Sequence, residues 1–170
     1  MALLGLPNSG ALAPCVGSYP PQLAAALKLS IRTAATGDEW EEVELPPKLS
    51  AIVFVNIPSH AAGRKLWQPC RPPWAPQDAA DALLEVGGFA TPCHFGCYLG
   101  FGFGHLRPCS GMKLAQAKAV RIETRQPLHM QADGEPWLQP AGVITICHAG
   151  ASAMLRVPTR QEQKAKLAVA

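Results

Sequence analysis

Proline and glycine punctuate this chain too tightly for long regular elements. Its 170 residues hold 17 prolines and 15 glycines, and proline is thus about twice as frequent as the roughly 5% of an ordinary soluble domain. Proline removes a backbone donor and clashes inside a helix, while glycine raises the entropic cost of ordering any element. The apolar runs between these residues are therefore expected as short strands joined by turns, with few or no long helices.

The strand periodicity is visible in several places. In LKLSIRTA, Leu27, Leu29, Ile31 and Thr33 alternate with Lys28, Ser30 and Arg32, the period of a half-buried strand. EWEEVEL follows a Thr36-Gly37-Asp38 turn, and Pro46-Pro47 ends it. Ala51–Val55 is a continuous β-branched apolar run stopped by Pro58, which predicts a central strand buried on both faces. Residues 60–80 carry Pro69, Pro72, Pro73 and Pro76 and read as loop. ALLEVGGF resumes strand character, and GCYLGFGFG reads either as a glycine-weakened strand or as a collapsed loop. MKLAQAKAVRIET mixes helix formers with alternation, and strand is favoured from Ala119 onward. LHMQA, VITICHA and SAMLRV complete a set of roughly eight strands, the pattern of a β-sandwich. Residues 1–27 show little periodicity and are expected as a flexible leader or truncated start, 28–156 as the folded domain, and 157–170 as a basic disordered tail.

Charge and cysteine usage narrow the function classes. The net charge of +3 is carried by the tail, where Arg156, Arg160, Lys164 and Lys166 face Glu162, so the body is near neutral. That excludes a basic nucleic-acid groove. The six cysteines, at positions 15, 70, 93, 97, 109 and 147, are expected as reduced thiols, because the N-terminus has no basic segment ahead of an apolar run and no second paired-ligand element stands at zinc spacing. The uncharged stretch 86–106 holds too many glycines to form a membrane-spanning helix. Gly100-Phe101-Gly102-Phe103-Gly104 is not a phosphate-binding GxGxxG, and neither GxSxG nor HExxH occurs.

One stretch carries more chemistry than the others. In MQADGEPWLQ, residues 130–139, Asp133 and Glu135 bracket Gly134. Asp-Gly between alternating segments is first a hairpin turn, and secondly a way to aim a pair of acids outward.

Four blocks in order, AIVFVNIPSHAAGRKLW (51–67), DALLEVGGF (81–89), GMKLAQAKAVRIET (111–124) and MQADGEPWLQPAGVITICH (130–148), resemble the accessory (C-terminal) domain of eukaryotic diacylglycerol kinases. NIPS at 56–59 and DGEPW at 133–137 are the most specific parts. The resemblance implies a mostly β, sandwich-like accessory domain of an enzyme that transfers the γ-phosphoryl of ATP to diacylglycerol, giving phosphatidic acid. It implies Asp133 as the base that takes the proton from the lipid hydroxyl, Gly134 as a point of close approach to the nucleotide, and Glu135 facing the phosphate and magnesium. It further implies Asp81 as a ligand of a structural magnesium, with Asp78 and the Leu83 carbonyl as neighbours. The cofactors are then ATP and Mg2+ in the intact enzyme, with none expected to bind this chain tightly by itself. The partners are the kinase catalytic domain, diacylglycerol and, peripherally, a membrane surface from the cytoplasmic side, with no nucleic acid.

The departures are also specific. The glycine-rich GGDGT nucleotide loop and the cysteine-rich recruitment modules are absent from this sequence, so the chain alone is expected to be inactive. Ala82 stands where the family usually carries glycine, and the stretch between His94 and Gly111 is longer than usual. Two rival readings remain open: a non-catalytic β-sandwich that binds a protein or lipid, and a metal-dependent hydrolase built on Asp81, Asp133 and His148.

Overall fold

The computed structural model describes residues 2–5, 23–60, 63–68, 70–99 and 111–153. In chain order these form β1 (Ala2–Gly5), α1 (Leu23–Ala26), β2 (Leu27–Arg32), β3 (Glu41–Glu42), β4 (Ala51–Val55), β5 (Leu84–Phe89), α2 (Pro92–Leu99), β6 (Met112–Ala117), β7 (Ala119–Thr124), β8 (Leu128–Ala132), β9 (Glu135–Gln139) and β10 (Gly142–Cys147). The strands make two antiparallel sheets, one of six strands in the order β6-β5-β4-β1-β8-β9 and one of four in the order β10-β7-β2-β3. The architecture is mostly β and sandwich-like, as the punctuation requires.

Alternation decides what each strand buries. On the four-stranded sheet Leu27, Leu29 and Ile31 of β2 and Val120 and Ile122 of β7 point inward, against Ile52 and Phe54 of β4, Val86 of β5, Ala115 and Ala117 of β6, and Leu128 and Met130 of β8. Each large apolar side chain removed from water here contributes about 1.5–3 kcal/mol. The opposite face of the six-stranded sheet is also covered, because Val53 and Val55 pack with Phe89, Leu66 and Tyr98, the last carried by α2. That second layer is why Ala51–Val55 needs no polar residue at alternate positions.

Four local expectations change. GCYLGFGFG was open between strand and loop, yet its first residues belong to α2. Thr91 and Pro92 explain this: the Thr91 Oγ1 accepts the His94 N–H at 3.0 Å, a capping bond, and proline suits the first helical position. Residues 100–110 lie outside the described ones. Strand structure in MKLAQAKAVRIET begins at Met112 rather than Ala119, since exposed Lys118 turns the chain between two strands. In EWEEVEL only Glu41–Glu42 is strand; the Val43 N–H still donates to the Leu29 carbonyl at 2.9 Å, and Val43 and Leu45 reach the core from an irregular segment before Pro46. Residues 1–27 contain two elements: β1 lies between β4 and β8, and Leu23 of α1 is fully buried. Cys97 is disulfide-bonded, which corrects the expectation of reduced thiols at that position, whereas Cys70 and Cys147 are free. No described helix is long and apolar enough to cross a membrane.

Candidate functional site

The hairpin β8–β9 pairs Ala132 with Glu135, leaving Asp133 and Gly134 as a two-residue loop. Their φ angles are +49° and +97°, two successive left-handed residues that define a type I′ turn. Aspartate tolerates this region because its short polar side chain bonds locally, and glycine meets no steric penalty there. Asp133, Gly134 and Glu135 are all exposed. A turn read from two letters of sequence thus holds a carboxylate outward on a fixed hairpin tip.

Register brings the other candidate segments to the same end of the sheet. Ala2 of β1 faces Ala132 on one side and Phe54 on the other. β4 and β8 therefore run in the same direction with one strand between them, and leave the sheet together. The Asn56–Ser59 segment and Asp133 emerge about 10 Å apart, two strand spacings. β5 runs the other way, with Val55 opposite Glu85, so the 81–83 loop enters at this end, and Leu84 opposite Ala117 puts Lys118 beside it. β5, which follows the Asp81 loop, stands three strand intervals from β8, which leads into Asp133. A cavity of about 200 Å³ opens here between Asn56, Leu83, Leu84, Lys118 and the end of β10 at Ile146 and Cys147.

The spacing bears on metals. Among the described residues no three His, Cys, Asp or Glu side chains converge as a metal-holding group. The hydrolase arrangement of Asp81, Asp133 and His148 is therefore not assembled; strand order holds Asp81 and Asp133 apart. The Asp81 Oδ1 accepts the Leu83 N–H at 2.8 Å and the Asp78 Oδ1 accepts the Ala80 N–H at 2.9 Å, so each aspartate shapes its own loop with one oxygen. Ala82, next to Asp81, has φ +58°, in the left-handed region that favours glycine.

Sequence reasoning missed a polar network beneath this surface. Glu85 is fully buried. The Gln77 amide donates to its Oε2 at 2.8 Å and the Gln116 amide to its Oε1 at 3.3 Å. Desolvation pushes the Glu85 carboxyl above its ordinary range; the hydrogen bonds from Gln116 and Gln77 act against this, and the nearby charge of Asp81 adds to it. The available signal was a lone acid inside an otherwise apolar strand. His60, just past Asn56–Ser59, is buried too, and its Nδ1 lies 3.1 Å from the Tyr98 hydroxyl. Burial lowers the His60 imidazole below its usual value and pushes the Tyr98 phenol up to about 12, partly offset by the charge of Arg64. Trp67 is core, 1% exposed, with its indole N–H donating to the Ala75 carbonyl. Trp137 instead stands on the edge strand, 40% exposed.

Comparison with known proteins identifies the family. The diacylglycerol kinase accessory domain family matches residues 21–136, and the chain belongs to that family. It is 35% identical to diacylglycerol kinase 1 of Arabidopsis thaliana over 118 residues, covering 68% of this chain and 15% of that protein. To diacylglycerol kinase theta of Homo sapiens it is 35% identical over 129 residues, 75% of this chain and 13% of the relative. Against diacylglycerol kinase 5 of Arabidopsis thaliana the values are 29% over 153 residues, 81% and 29%. The chain thus spans well under a third of the length of these curated relatives.

Proposed function

We propose that this chain is the accessory half of a diacylglycerol kinase and supplies Asp133 as the base for phosphoryl transfer from ATP to the diacylglycerol hydroxyl. A neutral alcohol attacks faster when a group within hydrogen-bond reach takes its proton, a contribution of about 10²–10⁴-fold. The observation that carries the reading is the left-handed, exposed placement of Asp133 on a rigid turn, at the sheet end where Asn56–Ser59 also emerges. Gly134, with nothing within 4 Å of where a side chain would start, leaves room for the nucleotide, and Glu135 follows on the phosphate side.

Magnesium, when bound, spreads the negative charge that develops on the transferring phosphoryl group. The donors of the 78–83 loop suit such a hard cation, since Asp81, Asp78 and the Leu83 carbonyl are all oxygen ligands. In this reading they hold the loop and take no part in the chemistry. The catalytic half that binds ATP is the required partner. Without a positioned donor the base contributes almost nothing, because the gain depends on holding both reactants together; the isolated chain is accordingly inactive. Trp137 and Leu138 of β9, just after the turn, and Ile57 of the Asn56–Ser59 segment are exposed at 40%, 56% and 52% and provide apolar surface for that partner. In this reading the enzyme works from the cytoplasm at the membrane surface that holds its lipid.

The test is reconstitution. The chain is mixed with a separately expressed catalytic half of a relative, and phosphatidic acid is measured from ATP and diacylglycerol vesicles. Product is expected only with both halves, and Asp133→Asn lowers it at least about 100-fold. A complex that forms by pull-down but gives no product, or an Asp133→Asn variant with full activity, rejects the kinase reading in favour of a non-catalytic binding module.

A further inference from the structure

Glu85 is the only carboxylate among the buried described residues. Burying a charge is costly unless it is paired or hydrogen-bonded, and two separate elements meet on this one. From β6, the Gln116 amide pairs with the Ala75 backbone in both directions, accepting its N–H at 2.9 Å and donating to its carbonyl at 3.1 Å, while also donating to Glu85. From the proline-rich loop, the Gln77 amide divides its donors between Glu85 and the Ile57 carbonyl, the latter at 3.1 Å. Ile57 belongs to Asn56–Ser59, a segment exposed throughout, so apolar burial does not set its position. Its ends are held by buried Val55 and His60, and between them the amide that Glu85 orients bonds to its backbone.

We infer that Glu85 is a positioning residue: by fixing the Gln77 amide it sets where Asn56–Ser59 sits at the sheet end that carries Asp133. The chain of contacts runs from a buried carboxylate through one side-chain amide to the backbone of an exposed segment. Glu85 touches neither substrate nor nucleotide. Its consequence for turnover rests on the kinase reading; its consequence for the segment does not. Asn56 also lines the cavity beside Leu84 and Lys118, so the same contact sets one wall of that opening.

Two measurements test this. The first is the backbone NMR chemical shifts of 56–59 in the full chain alone, and the second is phosphatidic acid formation with the catalytic half. Gln77→Leu removes the donor to the Ile57 carbonyl, and Glu85→Gln removes the carboxylate that orients it; each is expected to move the Ile57 carbonyl-carbon shift and the shifts of Asn56 and Ser59 toward random-coil values. Both lower kcat and leave the KM for ATP in place. The decisive variant is the exchange Glu85→Gln with Gln77→Glu. It restores a bond between positions 77 and 85, because the new amide donates to the new carboxylate, but it presents an acceptor to the Ile57 carbonyl. Thermal stability should return while the shifts of 56–59 stay displaced and kcat stays low. Unchanged shifts in Gln77→Leu, or a double variant that restores stability and shifts together, overturns the inference. If the unsubstituted halves make no phosphatidic acid, the kinase reading fails and the NMR measurement still decides the role of Glu85.

Discussion

Ala82 occupies a left-handed conformation, φ +58°, that costs an L-residue about 1–2 kcal/mol. Replacing it by glycine removes that strain, at the expense of about 0.4–1 kcal/mol of extra freedom in the unfolded chain. Ala82 is exposed, so its methyl contributes almost no burial to offset the gain. The net effect of Ala82→Gly is stabilisation by about 0.5–1 kcal/mol, which for a domain of this size raises Tm by about 1–4 °C. Gly134→Ala is the mirror experiment. Its φ is +97° and nothing lies within 4 Å of the position a Cβ would take, so any loss is conformational rather than steric. The same terms with reversed sign predict a fall of about 1–4 °C. Both variants are read by thermal unfolding followed by far-UV circular dichroism at one protein concentration. A lower Tm for Ala82→Gly, or a higher one for Gly134→Ala, refutes the claim that backbone conformation, not side-chain contact, shapes these two loops.

Two further outcomes are expected. Because burial lowers the His60 imidazole below its usual 6.5, the unfolded chain takes up the proton first, so the His60 contribution to stability is present above about pH 6.5 and is lost as pH falls toward the folded-state value. Glu85 acts oppositely, its raised carboxyl removing stability as pH rises from the ordinary carboxylate range, so the test compares urea midpoints of His60→Phe and the unsubstituted chain at pH 7.5 and 5.5; the variant should lose less on acidification, and equal losses would exclude a neutral buried imidazole. Gly88→Ala places a Cβ 2.5 Å from the Leu49 Cδ1 and 3.1 Å from the Ala51 carbonyl oxygen; the leucine tip can yield and the backbone oxygen cannot, so overpacking should cost about 1–3 kcal/mol by urea unfolding, and a neutral result would mean that β4 and β5 pack less closely there.

What the sequence made legible was what short-range rules control. Leu27, Leu29 and Ile31 announce β2 by period, Ala51–Val55 announces a strand buried on both faces, and Asp133-Gly134 announces its turn. The misses come from local signals in competition or from long-range pairing. At Thr91-Pro92 the cap and first-turn proline outweighed the glycines that follow and produced α2. In Met112–Ala117 helix-forming residues became strand because Leu84, Glu85 and Val86 pair beside them, a tertiary effect that propensity does not carry. β1 shows least of all: four residues lie between β4 and β8, and no pattern within Ala2–Gly5 specifies those neighbours. The acids at 81 and 133 were visible as residues, but their separation depends on strand order. Glu85 was hidden for a related reason, since its partners Gln77 and Gln116 stand 8 and 31 residues away in segments with no shared periodicity.

Strand order also divides the labour among these acids. Asp81 and Asp133 are both exposed and follow from strands with two others between them, and salt screens charges that face water, so a direct electrostatic hold of one on the other is weak. Asp81 does reach Glu85, whose carboxyl its charge helps to raise, and Glu85 reaches Ile57 through Gln77. Influence from the 78–83 loop on the Asn56–Ser59 segment therefore has a route through the part-buried Gln77–Glu85 hydrogen bond and the exposed one from Gln77 to Ile57. Such a route acts by moving a backbone segment, not by altering the charge of the base. It also accounts for a buried acid that desolvation alone would disfavour: an apolar residue at position 85 could fill the space, but it could not orient the amide that holds Ile57.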